Sequence, residues 1–169
     1  MIAAGAHSKA LAAKAGDRVP LEAERGYHFT VEGGNNLPGP STSVMVADRK
    51  GVISRLQHGI RCAGQVEIAA RDAPADWRRA EIVRRHLAET FPGLDTAEGR
   101  VWLGLRPSTP DGLPVIGEAT GVKGVIHAFG HGHVGLVGSA RTGQVVAQLA
   151  AGEAPALDVA PYTASRFRR

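Results

Sequence analysis

The segment Val125-Ile-His-Ala-Phe-Gly-His-Gly-His-Val-Gly135 decides the fold, because it passes from an apolar strand through a glycine-rich turn into a helix. Val125–Phe129 has the short apolar run of a strand, and helical spacing follows as far as about Ala151. A glycine-rich turn that opens a helix exposes unpaired backbone N–H groups at the positive end of the helix dipole. The segment therefore predicts either a site for a flat or anionic group, or a tight connection that binds no ligand.

The glycines at 130, 132 and 135 also fit the G-x-G-x-x-G spacing of the dinucleotide-binding turn. That fingerprint requires a second parallel strand after the helix, which ends in an acidic residue about twenty residues further on. Here the helix is followed by Gly152-Glu-Ala-Pro-Ala-Leu-Asp158, where a proline interrupts any strand. We therefore predict that this turn does not bind the ADP half of a dinucleotide.

Other polar side chains near this segment give weaker signals. Arg106 precedes Pro107 at the end of a predicted strand, and its planar guanidinium suits a carboxylate, although most arginines at strand ends are solvated. His131 and His133 have no third ligand at a usable spacing, so no metal site is predicted. Ser139 lacks the strand-to-helix elbow of a nucleophilic serine, so no hydrolase triad is predicted.

Upstream of this segment the chain has mainly the pattern of antiparallel β-structure. One strand begins near Gly26, where apolar and polar residues alternate with period two. Short polar or glycine-bearing turns then separate three further predicted strands, at Ser43–Ala47, Gly51–Leu56 and Arg61–Ala69. This arrangement predicts a meander of antiparallel strands.

One helix interrupts the β-structure. The range Asp76–Thr90 has apolar residues at helical spacing, Asp76 is a suitable N-cap, and Pro92-Gly93 ends the pattern. Trp77 belongs to this apolar spacing, so we predict that it is a core anchor rather than a ligand contact.

The composition excludes several classes of protein. Of 169 residues, 43% are hydrophobic and 21% charged, which is typical of a globular protein. Cys62 is the sole cysteine, so no intrachain disulfide is predicted. The net charge is +4, but acidic residues interleave with the arginines and aromatic residues make up only 5%, which argues against a nucleic-acid partner. The sequence has neither a long apolar run nor a signal-peptide pattern. We expect a cytoplasmic protein, free or peripheral to the inner face of the membrane.

Taken together, these segments resemble the C-terminal part of the FAD-dependent D-amino-acid dehydrogenase/oxidase family, which includes glycine and sarcosine oxidases. Tyr27 and His28 match a motif of the family's substrate domain, to which we assign no role. The resemblance covers nearly the whole chain in order, through the blocks Ala3–Ser8, Pro20–His28, Arg61–Glu67, Phe91–Leu94, Trp102–Gly117 and Ala128–Leu136, and through Arg166-Phe167.

The resemblance implies an α+β fold with two parts. Residues 17–99 are expected to form an antiparallel-rich, substrate-binding sheet that carries the predicted helix. Residues 1–16 are expected to be a remnant of an FAD-binding α/β domain, to which the chain returns in residues 100–169 with a flavin-edge helix and a C-terminal tail. Because partner strands are missing, exposed sheet edges and self-association through them are also expected.

The resemblance also implies roles for named residues. The family's substrate-carboxylate arginine falls on Arg106. The turn that lies near the dinucleotide part of FAD falls on Ala4, Gly5 and Ser8. The turn and helix N-terminus that face the pyrimidine edge of the flavin comprise Gly130, His131, Gly132, His133, Val134, Gly135 and Leu136.

The implied activity is oxidative deamination of an amino acid, a D-amino acid or a similar amine, by hydride transfer to flavin. The family begins with a strand–GxGxxG–helix unit that binds the ADP half of FAD, and the sequence lacks that unit. We therefore expect this chain by itself to be colourless and inactive. The alternatives are a non-catalytic truncated fragment, or one subunit of a split flavoenzyme whose second chain supplies the ADP-binding unit.

Overall fold

The computed structural model of the protein describes residues 1–34 and 36–168. Asn35 and Arg169 lie outside the described residues. The sequence pattern predicts a Gly/Asn/Pro loop from Gly33 to Pro40, which contains Asn35, and Arg169 is the last residue of the predicted tail. The chain divides into two compact units: Arg25–Gly104 forms one, and Met1–Glu24 together with Leu105–Arg169 forms the other. We call them the sheet unit and the turn unit, and describe each by itself.

The sheet unit is built on a five-stranded sheet with the strand order β2-β3-β4-β1-β5. The β2–β3 and β3–β4 pairs are antiparallel, as the meander predicts. The strands run from Glu22 to Glu32 (β1), Val44 to Val46 (β2), Gly51 to Leu56 (β3), Gly59 to Ile68 (β4) and Arg100 to Ser108 (β5). The predicted α+β fold class is confirmed.

Alternation along the strands separates the two faces of this sheet. The core face carries Phe29, Ile53, Ile60 and Cys62, which are all buried. Helix α2 (Arg78–Thr90) packs against this core through Val83 and Leu87. Burying each large apolar side chain contributes about 1.5–3 kcal/mol, so this face holds the sheet unit together.

The start of α2 differs from the prediction. The helix begins at Arg78, and Trp77 rather than Asp76 is its N-cap residue, although the Asp76 carboxylate still accepts the Arg78 amide at 3.3 Å. Trp77 is 49% exposed, so the prediction of a core anchor is wrong. The indole lies before the first helical turn, where its edge contacts Tyr27 at 6.1 Å between ring centroids.

A buried ion pair fastens the segment before α2 to the sheet. The Arg25 guanidinium is fully buried, and its Nε lies 3.4 Å from Glu67 Oε2. Arg25 Nη2 also donates to the carbonyl of Pro74, at 3.1 Å. Tyr27 donates its hydroxyl to the same Glu67 oxygen at 2.6 Å and accepts the Asp76 amide at 3.0 Å. Hydrogen bonds of this kind are needed because an unpaired charge in the interior is costly.

The described residues of the turn unit form two α-helices and a small sheet. Strands β6 (Val115–Glu118) and β7 (Ile126–Phe129) are antiparallel, and Ile2 adds a single parallel bridge to His127. The unit's buried apolar residues include Ala12, Leu21, Val115 and Phe129. Its helices are α1 (Ser8–Lys14) and α3 (Gly135–Ala150), and two short 3₁₀ turns, Ala160–Tyr162 and Ala164–Phe167, lie in the tail.

A buried carboxylate holds distant parts of the turn unit together. The side chains of Asp17 and His127 are both about 1% exposed, and His127 Nε2 lies 2.9 Å from Asp17 Oδ2. Thr120 donates its backbone amide to the same carboxylate at 2.9 Å, and its hydroxyl donates to the other oxygen. The Arg168 guanidinium lies 3.6 Å from Asp17 and also contacts Thr120. One carboxylate therefore joins the end of α1, the loop after β6, strand β7 and the tail.

Neither α1, α2 nor α3, the helices found in residues 1–34 and 36–168, combines the length and the apolar content that crossing a membrane demands.

Candidate functional site

The glycine turn between β7 and α3 has the conformation that its sequence predicts. Gly130 and Gly132 have φ angles of +85° and +53°, in the left-handed region that side chains rarely adopt. A Cβ on Gly132 would approach Ser108 Oγ to 3.3 Å. The backbone amide of Gly132 donates to the carbonyl of Pro107 at 2.8 Å. The turn is therefore bound to the end of β5, where Arg106 lies.

The start of α3 leaves backbone amides unpaired within the helix. The first bond of the helical type joins the Gly138 amide to the Val134 carbonyl at 2.9 Å, so the amides of Gly135, Leu136 and Val137 have no partner four residues back. The first turn contains no acidic side chain that would cap these amides. This end of α3 therefore offers N–H donors and the positive end of the helix dipole to an anionic group.

Arg106 is half-buried, and its Nη1 atom is fully buried without a hydrogen-bond partner among the described residues. A buried guanidinium nitrogen normally has an acceptor, because leaving it unpaired costs free energy. A carboxylate would supply two oxygens in the planar geometry that a guanidinium prefers. Arg106 thus has the chemistry of a carboxylate-binding residue beside the glycine turn.

The two histidines of the turn have different surroundings. His131 Nε2 is paired with Thr142 Oγ1 at 3.0 Å, which ties the turn to the middle of α3. Burial lowers the pKa of His131, so its ring is neutral near pH 7. His133 is more exposed, and its Nε2 lies 2.8 Å from Glu24 Oε2. His131 therefore supports the turn, while His133 pairs with a carboxylate at its rim.

Two apolar cavities border α3 and meet at His131. One, of about 300 Å³, is lined by residues that include Leu113, Val145 and Tyr162. The other, of about 460 Å³, is lined largely by small residues, among them Ala3, Ala128, Gly135, Gly143 and Ala147. Small side chains beside a row of unpaired amides fit the edge of a flat ring system that gains negative charge. The ring part of FAD, the cofactor that the resemblance implies, has this character.

The predicted turn at Ala4, Gly5 and Ser8 also forms. Gly5 has a φ of +54°, and the Ala4 amide donates to Ser8 Oγ at 3.0 Å. Ser8 is fully buried, so its hydroxyl serves the turn itself. A ligand that approaches this turn would meet the exposed backbone around Ala4 rather than the Ser8 side chain.

The contact between Arg166 and Asp111, which supports the neighbourhood of the glycine turn, was not predicted from the sequence. Arg166 is paired with Asp111 at 2.7 Å and donates to the Leu113 carbonyl at 2.7 Å, which fixes the loop after β5. Hydrogen bonds from Arg166 lower the pKa of Asp111 to about 2. The matching block Arg166-Phe167 pointed to this residue, but its partner lies 55 residues away in sequence.

Comparison with known proteins gives the family. The model of the DAO family, described as FAD dependent oxidoreductase, matches residues 1–149. The chain is 52% identical to a D-amino-acid oxidase of Bradyrhizobium diazoefficiens, over 99% of the chain and 40% of that relative. It is 32% identical to a D-amino acid dehydrogenase of Rhizobium rhizogenes, over 99% of the chain and 40% of that relative. A third relative, an uncharacterised oxidoreductase of Halorhodospira halophila, is 35% identical over 99% of the chain and 77% of its own length.

The fold agrees with solved structures of similar proteins. The crystal structure of glycine oxidase from Geobacillus kaustophilus superposes with a TM-score of 0.81 at 24% identity, covering 98% of this chain and 44% of that one. The chain thus spans about two-fifths of the length of the oxidase and the dehydrogenase it matches. With a family match over most of the sequence and a shared fold, the chain belongs to the DAO family of FAD-dependent oxidoreductases.

Proposed function

We propose that this chain provides the substrate-carboxylate site and the flavin-edge site of an enzyme that oxidatively deaminates D-amino acids or similar amines. The observation that supports this most directly is the buried, unpartnered Nη1 of Arg106 beside a turn that presents free helix amides. In this proposal the turn unit is the FAD-binding part and also carries Arg106, and the sheet unit supplies the rest of the substrate-binding part.

The residues present have separable tasks. Arg106 binds and orients the carboxylate of the amino acid. The amides at the start of α3, aided by the helix dipole, stabilise negative charge on the group that faces them. When bound, FAD accepts the hydride from the α-carbon of the substrate. If the amine binds in its neutral form, no side chain of this chain is needed as a strong base.

The test uses a chimera in which this chain replaces the matching segment of the 52% identical D-amino-acid oxidase. Arg106→Ala in the chimera should raise KM for D-amino acids about ten- to a hundredfold, because hydrogen bonds to a charged group are worth about 1.5–3 kcal/mol. The matched control is Arg18→Ala, since Arg18 is an exposed arginine of the same unit. An unchanged KM for Arg106→Ala, or an equal change in both variants, would show that Arg106 does not bind the carboxylate.

A second candidate function is that of a subunit in a split flavoenzyme, whose partner chain supplies the ADP-binding unit. Its support is an exposed apolar surface at the start of α3, where Leu136 and Val137 are 89% and 87% exposed. Exposed apolar groups of this kind mark contact surfaces. We also propose that copies of the chain associate with one another through this exposed apolar surface. A stable complex with an ADP-binding chain, but not with itself, would favour the split enzyme.

We also propose a cytoplasmic location. Its support is the sole cysteine, Cys62, which is a buried free thiol and suits a reducing compartment. Fractionation of cells that produce the protein at native levels tests this, with recovery in the membrane fraction pointing instead to peripheral attachment at the inner face.

A further inference from the structure

Arg61 is the second half-buried arginine without a partner in the described residues. Its Nε is fully buried and has no hydrogen-bond acceptor, and its charge is matched by no carboxylate within residues 1–34 and 36–168. The other half-buried arginines of the sheet unit, such as Arg55 and Arg84, have carbonyl or carboxylate acceptors. Arg25 and Arg79 also bury an Nε without a hydrogen-bond partner, but Arg25 is paired with Glu67 and Arg79 donates through Nη1 to the Val66 carbonyl. Among the described residues, Arg61 therefore differs from the other half-buried arginines of the sheet unit.

The position of Arg61 in the sheet makes it available to a ligand. Its neighbours Ile60 and Cys62 point into the core, so Arg61 lies on the face opposite α2. It is directly opposite Ser54 in the β3–β4 ladder. The Ser54 hydroxyl is hydrogen-bonded to Ser43 Oγ at 2.9 Å. The side chain directly opposite Arg61 thus carries a neutral hydroxyl, and no charged side chain stands across the ladder from it.

An aromatic pair lies on the same face. His28 falls between the buried Tyr27 and Phe29, so it points away from the core. Its ring stacks on the Trp102 indole at 4.8 Å between centroids, with 14° between the planes. Gly104 makes room for this arrangement, because a Cβ there would lie 2.0 Å from the indole. The stack therefore depends on a glycine two residues along β5.

Among the described residues that the sheet unit places on this face, Arg61 is a cation without a carboxylate partner. Burial and the positive charges of Arg61 and Arg100 lower the pKa of His28 to about 4, so the histidine is neutral near pH 7. Arg100 is paired with Glu32 at 3.1 Å. One guanidinium fork, neutral hydroxyls and the flat faces of two rings remain, a combination that matches a small planar anion.

We propose that Arg61, with Ser54 and the His28–Trp102 stack, forms a carboxylate-binding site on the face of the sheet opposite α2. The ligand is a carboxylate of an organic acid, either a free acid or the acidic side chain of an amino acid. This site requires neither FAD nor Arg106, so its test is independent of the test of the proposed function.

The test follows binding directly in the full 169-residue chain. Succinate is titrated in a Trp77→Phe background, so that Trp102 alone reports by fluorescence, while ¹H–¹⁵N NMR follows the Arg61 Nε–H signal. Succinate should change both signals saturably, and neutral succinamide should leave them unchanged. Arg61→Gln should weaken succinate binding at least about tenfold, while Arg85→Gln, an exposed arginine on α2, should leave it unaltered.

Three results would overturn the site: equal responses to succinate and succinamide, undiminished binding in Arg61→Gln, or tighter binding of inorganic phosphate than of succinate. Circular dichroism of each variant in the Trp77→Phe background separates loss of binding from loss of structure. A comparison of D-aspartate with D-asparagine then identifies the source of the carboxylate. If D-aspartate binds and D-asparagine does not, the ligand is the acidic side chain of an amino acid. If succinate binds and D-aspartate does not, the ligand is a free acid.

Discussion

At the scale of single residues, the polar groups that matter most are the buried ones, and their partners are far away in sequence. Asp17 and His127 are 110 residues apart, and Arg25 contacts Pro74 across 49. The spacing of residues within one element cannot predict such pairs, because it indicates only which face of that element is apolar. Arg106 was therefore predictable from its sequence block, whereas the networks around Asp17 and Glu67 were not.

The Asp17 network predicts a pH-dependent stability. Burial alone would raise the pKa of Asp17, but hydrogen bonds from Thr120 and His127 outweigh it and hold that pKa below the ordinary 3.8. A carboxyl group with a lowered pKa in the folded state stabilises the fold above its unfolded pKa, and this contribution is lost as pH falls through the folded pKa. Asp17→Asn should therefore reduce the free energy of unfolding by about 2–3 kcal/mol at pH 7.

Urea unfolding between pH 7 and pH 2.5 measures this effect. The difference in the free energy of unfolding between the natural chain and Asp17→Asn should become smaller below about pH 4, because the carboxylate is protonated there. Glu153→Gln, a change at an exposed acidic residue, serves as the control. If this difference in the free energy of unfolding does not change with pH, the charge of Asp17 does not contribute to stability.

At the scale of elements, the glycine turn was the most predictable part of the molecule. The strand, the turn and the helix all form close to the predicted bounds, because positive φ angles at Gly130 and Gly132 require glycine and mark the turn in the sequence. Helix α2 was less predictable at its start, where Trp77 follows the helical spacing but lies before the first turn. Periodicity predicts the face of a residue and not whether a neighbouring element covers it.

Gly132→Ala tests how firmly the turn is held. A Cβ at a φ of +53°, only 3.3 Å from Ser108 Oγ, should cost about 1 kcal/mol or more. The bond from the Gly132 amide to Pro107 should weaken with it, which faster hydrogen exchange at that amide would show. Gly143→Ala is the matched control, because a Cβ there meets no atom within 4 Å. Equal effects of the two substitutions would contradict a strained turn.

At the scale of the whole molecule, the chain should not retain FAD by itself. The free amides at the start of α3 contribute about 0.5–1.5 kcal/mol each, whereas association costs at least ~4 kcal/mol. Gel filtration after incubation with FAD, followed by a visible spectrum, measures retention. Yellow fractions with turnover of a D-amino acid would show that the two units suffice for binding and catalysis.

The exposed apolar residues at the start of α3 predict self-association of the isolated chain. Sedimentation velocity over a range of concentrations should show a rising mean mass, and Leu136→Glu with Val137→Glu should reduce it, because charges oppose the burial of that surface. A mass that is independent of concentration, or that the double substitution leaves unchanged, would exclude this surface as the contact.

The reactivity of the buried Cys62 thiol reports local opening of the sheet unit. Burial raises the pKa of Cys62 to about 11, so at pH 8 the group is almost entirely protonated and unreactive while the sheet unit is closed. Because it is the sole cysteine, alkylation reports exposure of the core beneath α2, and its rate equals the opening rate where the reagent reacts faster than the core closes. Under that condition, alkylation followed by mass spectrometry would give the lifetime of the closed sheet unit, with no signal from the turn unit.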